Sequence, residues 1–272
     1  MRNIPDPNGE LRVNYLRLTL IAFFVIFLSF FLKAQTNSYT QLCNELQLAR
    51  AINDKWAGEA YFGGAFSNTP SESRVLKTNI QRYINVWVHY YFSPRWKFSS
   101  AFAYYYNKDV PDIGQYYSPE YRFTLQGIYY FHKMKYTLFT RMRVEFRYIM
   151  NADEKFEDKY RYRQMIKYIK PLNSMVLRKG VFYLLSTEEL LFKPNAKTSG
   201  INFIDRNRFE LGGGYLITDD IQIELSYVNE FMPRDEENEM YNQICLTITL
   251  NNLLPNLRKK LTSGPAKSDQ QE

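Results

Sequence analysis

Residues 121–148 read YRFTLQGIYYFHKMKYTLFTRMRVEFRY, and their period decides the fold. Tyr121, Phe123, Leu125, Gly127, Tyr129 and Phe131 hold alternate positions, with Arg122, Thr124, Gln126 and Ile128 between them. After His132, Lys133 and Met134 the alternation resumes. Tyr136, Leu138, Met142, Val144, Phe146 and Tyr148 then oppose Arg141, Arg143, Glu145 and Arg147. A period of two belongs to a strand whose successive side chains point to opposite faces. A helix would instead bring apolar residues back every third or fourth position. Two such runs across a short polar break form an antiparallel hairpin.

The same pattern extends outward in both directions. Strands are expected at 42–51, 55–67, 78–92, 96–107, 119–132, 135–149, 159–170, 177–192, 203–217, 220–233 and 239–251. Many are longer than the 5–6 residues usual in globular sheets, and suit the roughly 9–11 residues that cross a bilayer at a tilt. Short turns are expected at Asn53–Asp54, Ser93–Arg95, His132–Met134, Pro171–Asn173 and Thr218–Asp220. They alternate with longer polar loops at 68–77, 108–118, 150–158, 193–202 and 232–238. That alternation is the habit of outer-membrane barrels, with turns in the periplasm and loops outside. Eleven candidates is an odd number, whereas bacterial single-chain barrels have even counts. The expectation is therefore ten strands, without 42–51, or twelve.

Upstream, Leu18–Leu32 (LTLIAFFVIFLSFFL) carries no charge and is flanked by Arg17 and Lys33. It is shorter than the roughly 20 residues of a spanning helix and reads as the apolar core of a signal peptide. The division is then 1–34 signal, 35–54 an N-terminal segment that could include a first strand, 55–251 the barrel, and 252–272 a polar tail. Loss of 1–34 removes Arg2, Arg12, Arg17 and Lys33 with Asp6 and Glu10, and lowers the formal charge from +7 to +5. Export argues against nucleic acid as the partner of this basic balance. With 23 Tyr, 20 Phe and 3 Trp in 272 residues the chain is no disordered segment. Two cysteines are too few for a disulfide scaffold.

Alternation alone does not say which face meets water. A secreted soluble barrel would turn the apolar face inward, as a lipocalin does. Strand length, the loop pattern and aromatics crowded near strand ends, such as Tyr90, Phe92 and Trp96 around one turn, favour the opposite arrangement. The lumen then receives Arg141, Arg143, Glu145, Arg147, Arg161, Arg163 and Lys167 from two adjacent strands. Later strands add Arg208, Glu210, Glu224, Glu230 and one of Glu188 and Glu189. So many buried cations require carboxylates, water or an anionic ligand. Two readings of this ladder stand: Arg–Glu cross-bracing, or an anion-selective constriction.

Taken in order, Arg141–Tyr148, Tyr160–Arg163 with Tyr168, Ser186–Phe192, Asn207–Tyr215 and Asp220–Tyr227 form a series. It resembles the uncharacterised Bacteroidetes-type outer-membrane barrels grouped as "domain of unknown function 2490", over roughly residues 41–251. The resemblance implies an outer-membrane β-barrel and carries over no catalytic residue.

The search for chemistry is otherwise empty. His89 and His132 fall at the turn rim, without a serine and a carboxylate in evident triad spacing. Two histidines and two distant cysteines give no metal-ligand spacing. Gly212–Gly214 lies within a strand and lacks the Lys-Ser/Thr of a phosphate loop. Cys43 and Cys245 can pair only if the N-terminal segment packs beside the last strand. The expectation is an all-β, antiparallel up-and-down transmembrane barrel without enzymatic activity, cofactor or metal. It acts as a narrow passive channel or an envelope structural protein in the outer membrane of a Gram-negative bacterium. Its expected partners are outer-membrane lipid, the barrel-assembly machinery and small solutes. The alternatives are a lipid-modifying enzyme of that membrane and a secreted soluble binding barrel.

Overall fold

A computed structural model describes residues 36–252 except 70–71, 111–114, 152, 195–202 and 235–236. The signal run and the tail beyond Asn252 lie outside the described residues. Eleven strands follow in order: β1 Thr36–Ala51, β2 Trp56–Ser67, β3 Asn79–Tyr91, β4 Trp96–Val110, β5 Gln115–His132, β6 Thr137–Met150, β7 Phe156–Pro171, β8 Phe182–Phe192, β9 Ile204–Leu216, β10 Ile221–Met232 and β11 Asn238–Asn251. Each pairs antiparallel with its sequence neighbours, and β1 meets β11 to close a barrel. No described helix is long and apolar enough to cross a membrane, a fact that says nothing about crossing by strands.

The count corrects the expectation of ten or twelve. Segment 42–51, the weakest of the candidates, belongs to the 16-residue β1, which pairs with β2 from Gln41↔Ser67 to Ala51↔Ala57. An odd number of alternating strands sends the first and last in the same direction, so the closing pair is parallel. Its contacts agree: Ser38 with Asn242, Gln47 with Thr249, and Ala49 with Asn252 rise together along both strands. The seam places Thr36 at the loop rim and the end of β11 at the turn rim.

Connections also differ from the sequence reading. The expected loop at 108–118 is largely strand, since β4 runs to Val110 and β5 starts at Gln115, and the loop expected at 150–158 is shortened because β7 starts at Phe156. The expected turn at 171–173 is the start of a longer connection, and β8 begins at Phe182 rather than 177. There Asn173 Nδ2 donates to Gly180 O at 2.9 Å and its Oδ1 accepts from Phe182 N at 3.0 Å, so the loop bonds to itself. The tight turns are held by short polar side chains. Asn53 Oδ1 accepts from Lys55 N and Trp56 N, both at 2.9 Å, and Thr218 Oγ1 accepts from Ile221 N at 3.0 Å.

The two faces of the sheet are inverted relative to a soluble barrel. Val86, Phe102, Leu125, Leu184, Leu211 and Leu225 point outward and are 45–57% exposed. Aromatic clusters flank this apolar middle. Trp56–Tyr90, Trp96–Tyr129 and Tyr129–Phe131 lie near the turn rim, and Tyr104–Tyr121, Tyr106–Tyr117 and Tyr148–Phe156 near the loop rim. Inward positions are polar and buried, among them Glu120, Arg122, Glu145, Arg161, Arg163, Glu189 and Glu230.

Candidate functional site in the barrel lumen

The register of β5 to β10 assembles the inward charges into one connected ladder. Glu145 faces Arg161 directly across the β6–β7 pair, and Arg143 faces Arg163. Fully buried, the Glu145 carboxylate accepts from Arg161 Nε at 2.7 Å and from Arg163 Nη1 at 2.9 Å. Arg143 and Arg122 approach it to 3.6 and 3.8 Å. Arg163 then reaches diagonally to Glu189, donating through Nε at 3.0 Å and Nη2 at 2.5 Å, and Arg141 Nη2 meets the same carboxylate at 2.5 Å. On the other side Glu120 receives a forked pair from Arg147 at 2.7 and 2.8 Å and one bond from Arg122 at 2.7 Å.

The ladder continues beyond what the sequence offered. Arg208 lies 3.9 Å from Glu189 and donates to Glu230 at 2.6 Å. Arg206 pairs with Glu230 and, at 3.1 Å, with Asp205, which Arg234 approaches to 3.6 Å. Among the described residues, nine guanidinium groups thus share five carboxylates in this ladder, four more cations than anions.

Of the charges expected in the lumen, Arg141, Arg143, Glu145, Arg147, Arg161, Arg163, Arg208 and Glu230 meet in this network. Lys167, Glu210 and Glu224 face inward outside it, and Glu224 accepts instead from the Tyr183 hydroxyl at 2.9 Å. Of the pair on β8, Glu189 is the inward residue. Glu188 points outward and bonds to Asn207. Glu120, Arg122, Asp205, Arg206 and Arg234 were absent from the lumen charges expected from the sequence, although Arg122 stood on the polar face of its strand. Glu120 was legible, since it continues the Arg122–Thr124–Gln126 face by one step. Arg206 and Asp205 flank a register shift at Leu191/Phe192 that no alternation reveals.

A second polar cluster corrects the sequence reading of His89. Its Nδ1 lies 2.7 Å from Ser99 Oγ, and its Nε2 lies 3.1 Å from Glu59 Oε2, without hydrogen-bond geometry on that side. The cause is the Ser93–Arg95 turn, which pairs His89 with Ser99, while Glu59 sits opposite Trp87 on the far side. A serine, a histidine and a carboxylate therefore do meet. Ser99 and His89 are nevertheless buried and lie off the cavity wall, and the Tyr61 hydroxyl also bonds to Glu59. In this position the three side chains form a buried polar contact within the lumen filling. Among the described residues, no three His, Cys, Asp or Glu side chains could hold a metal ion.

A cavity of about 1110 Å³ occupies the loop half of the lumen. Asn151, Lys193 and Glu237 line its mouth, and Tyr61, Trp87, Arg143 and Arg163 line its depth. Asn85 Oδ1 and the Trp87 indole N–H, both on its wall, have no hydrogen-bond partner among the described residues. Arg143 lies over the Trp87 ring at 4.9 Å. Toward the turn rim the lumen is filled by Met165, Val181, Tyr183, Leu185 and Leu216, all buried.

Two tyrosines cross this interior in the same way. Tyr83 of β3 passes over Gly63 of β2 to reach Glu45 of β1, and Tyr183 of β8 passes over Gly214 of β9 to reach Glu224 of β10. A Cβ on either glycine would fall on the tyrosine ring. Gly212 and Gly214 thus mark close approach within the wall.

A family model described as "Protein of unknown function (DUF2490)" matches residues 40–241. No curated protein matches the chain. Among solved structures, a bacterial polysaccharide outer membrane secretin aligns with a TM-score of 0.44 at 13% identity, over 70% of this chain. The chain spans 62% of that protein's length.

Proposed function

The chain belongs to the DUF2490 family of proteins of unknown function, and from that premise we propose that it is an exported outer-membrane barrel without catalytic activity. Its lumen is a rigid, charged cup, open at the loop rim and filled at the turn rim, and its role is that of an envelope structural protein. The observation that carries this reading is the inversion of the two faces. Leucine, valine and phenylalanine cover the outside between two aromatic clusters, while arginine and glutamate fill the inside. Water disfavours such an outer face, and a bilayer with aromatic girdles at its interfaces accepts it. In this setting lipid surrounds the barrel, the assembly machinery inserts it, and the turns face the periplasm.

Heat-modifiability tests the membrane part. Detergent-folded protein should change mobility on a gel after boiling, and the mature chain should stay out of a detergent-free periplasmic extract. Recovery in that extract without detergent would overturn the proposal. Planar-bilayer recording tests the closed cup, with no steady conductance expected for the wild type. A second reading, an anion-selective pore, is favoured by the excess of guanidinium groups along the ladder. It requires steady conductance whose selectivity changes in Arg143→Glu or Arg163→Glu.

A further inference from the structure

The two cysteines of the chain, Cys43 and Cys245, sit on the two strands that close the barrel. On the lumen face of this seam, Tyr39 stacks on Tyr241 with ring centroids 5.1 Å apart, and Thr249 Oγ1 donates to Gln47 Oε1 at 3.1 Å. Gln47 and Thr249 are 202 residues apart, and Tyr39 and Tyr241 share that separation. Cys43 and Cys245 share it too, and lie midway between those pairs on the same face. A constant separation is the signature of an in-register parallel ladder, so the two residues are lateral neighbours. Adjacent strands run roughly 4.8 Å apart, within the roughly 4.4–6.8 Å Cα separation that a disulfide spans. The two thiols face the same lumen cavity beside the seam. Both also approach Gln243 Oε1, at 3.5 and 4.0 Å. Neither is deeply buried, and both line the cavity open to the loop rim, so a small oxidant can reach them.

We propose that Cys43 and Cys245 are a disulfide site that locks the parallel seam covalently. The oxidant is a disulfide-bearing molecule of the exported compartment. One cysteine thiolate attacks it, breaking its S–S bond, releasing one thiol and leaving a mixed disulfide. The second thiolate then attacks the protein sulfur of that adduct and expels the other thiol. The protein gives up two electrons and two protons, and the oxidant's disulfide ends as two thiols. The expectation that an oxidising compartment supplies this reagent rests on the export proposed above. The juxtaposition of the thiols does not. The bond would join the strands at the two ends of the barrel, where the sequence separation is greatest and a cross-link constrains the unfolded chain most.

The experiment uses the full chain folded in detergent, reduced, then exposed to oxidised glutathione. Intact mass and thiol titration after denaturation should show loss of two hydrogens, no remaining thiol and no glutathione adduct. The oxidised barrel should unfold at a higher urea concentration, and dithiothreitol should reverse that gain. Cys43→Ser should instead retain one glutathione on Cys245 and still shift on boiling, showing that the barrel forms without the bond. A stable adduct on both cysteines of the wild type, or two unreacted thiols where the urea-unfolded chain reacts, would overturn the inference. Both readouts are independent of cellular location. Failure of the export reading would appear separately, as reduced, soluble protein in cell fractions while the purified chain still oxidises.

Discussion

The two walls of the lumen satisfy their buried polar groups in different ways. Along β5 to β10 the carboxylates of the ladder are shared: Glu145 has four guanidiniums around it and Glu189 has three. Along β1 to β4 and β11 most bonds join single, neutral partners. Gln81 donates to Asn107 at 2.7 Å, Asn107 to Ser118 O at 2.9 Å, and Thr249 to Gln47 at 3.1 Å. A shared carboxylate holds several charges that would otherwise repel, so its loss propagates, whereas a lost neutral bond stays local. The largest test of this contrast is Glu145→Gln. It should destabilise the detergent-folded barrel by about 3–5 kcal/mol, since several guanidiniums lose their counter-charge. Thr249→Val on the seam wall, which removes the bond to Gln47, should cost about 1 kcal/mol. Urea unfolding followed by tryptophan fluorescence compares the two, and equal losses would break the distinction between the walls.

Packing offers a second, smaller test. Gly214→Ala places a methyl where the Tyr183 ring lies and should displace its bond to Glu224, at a cost of about 1–3 kcal/mol. The double variant Gly214→Ala with Tyr183→Ala should recover part of that loss. No recovery would mean that the glycine serves something other than the tyrosine crossing. Gly213, whose Cβ would meet only ordinary contacts, serves as the control, and Gly213→Ala should be close to neutral.

How much of this was legible depended on whether a property is local to one strand. Strand identity and the side of each residue follow from parity. Arg141 to Arg147 and Gln243 to Thr249 could therefore be placed inward from sequence alone. Partners depend on the register between strands, which parity does not give. The diagonal from Arg163 to Glu189 and the choice between Glu188 and Glu189 were hidden for that reason. Hairpins are the exception, because a tight turn fixes register by symmetry. His89 and Ser99 lie equally far from Pro94, and this could have revealed their pairing. The parity argument itself failed at the seam. It required antiparallel closure, yet β1 and β11 close in parallel. Asp205 and Arg206 beside a register shift, and Arg234 beyond the end of β10, obey no alternation at all.

The Ser99–His89–Glu59 cluster ranks next. As a brace, it predicts that Ser99→Ala removes one buried hydrogen bond and about 1 kcal/mol of stability. Hydrolysis of phospholipid or acyl-ester vesicles should be absent in both wild type and variant. Activity in the wild type that Ser99→Ala abolishes, while the boiling shift persists, would replace the brace with a hydrolase.

The smallest effect is expected outside the barrel wall, in the connection between β2 and β3. There Thr69 and Glu72 exchange backbone hydrogen bonds at 2.9 and 3.1 Å. Glu72 accepts from Arg74 Nε at 3.0 Å and meets Lys77 Nζ at 2.5 Å. The hydrogen bonds from Arg74 and Lys77 hold the Glu72 carboxyl well below the usual carboxylate range. A lowered folded value favours the clamp above the unfolded carboxylate's titration, and that contribution disappears as the pH falls through the folded value. Solvent and salt screen a clamp on the surface, and none of its groups belongs to the ladder. Glu72→Gln should therefore leave the urea midpoint of the barrel unchanged at neutral pH, while amide exchange in the 72–77 segment accelerates. A shift of the global midpoint comparable to that of Glu145→Gln would show that this loop is coupled to the lumen wall and that the difference between the two walls is not confined to the barrel.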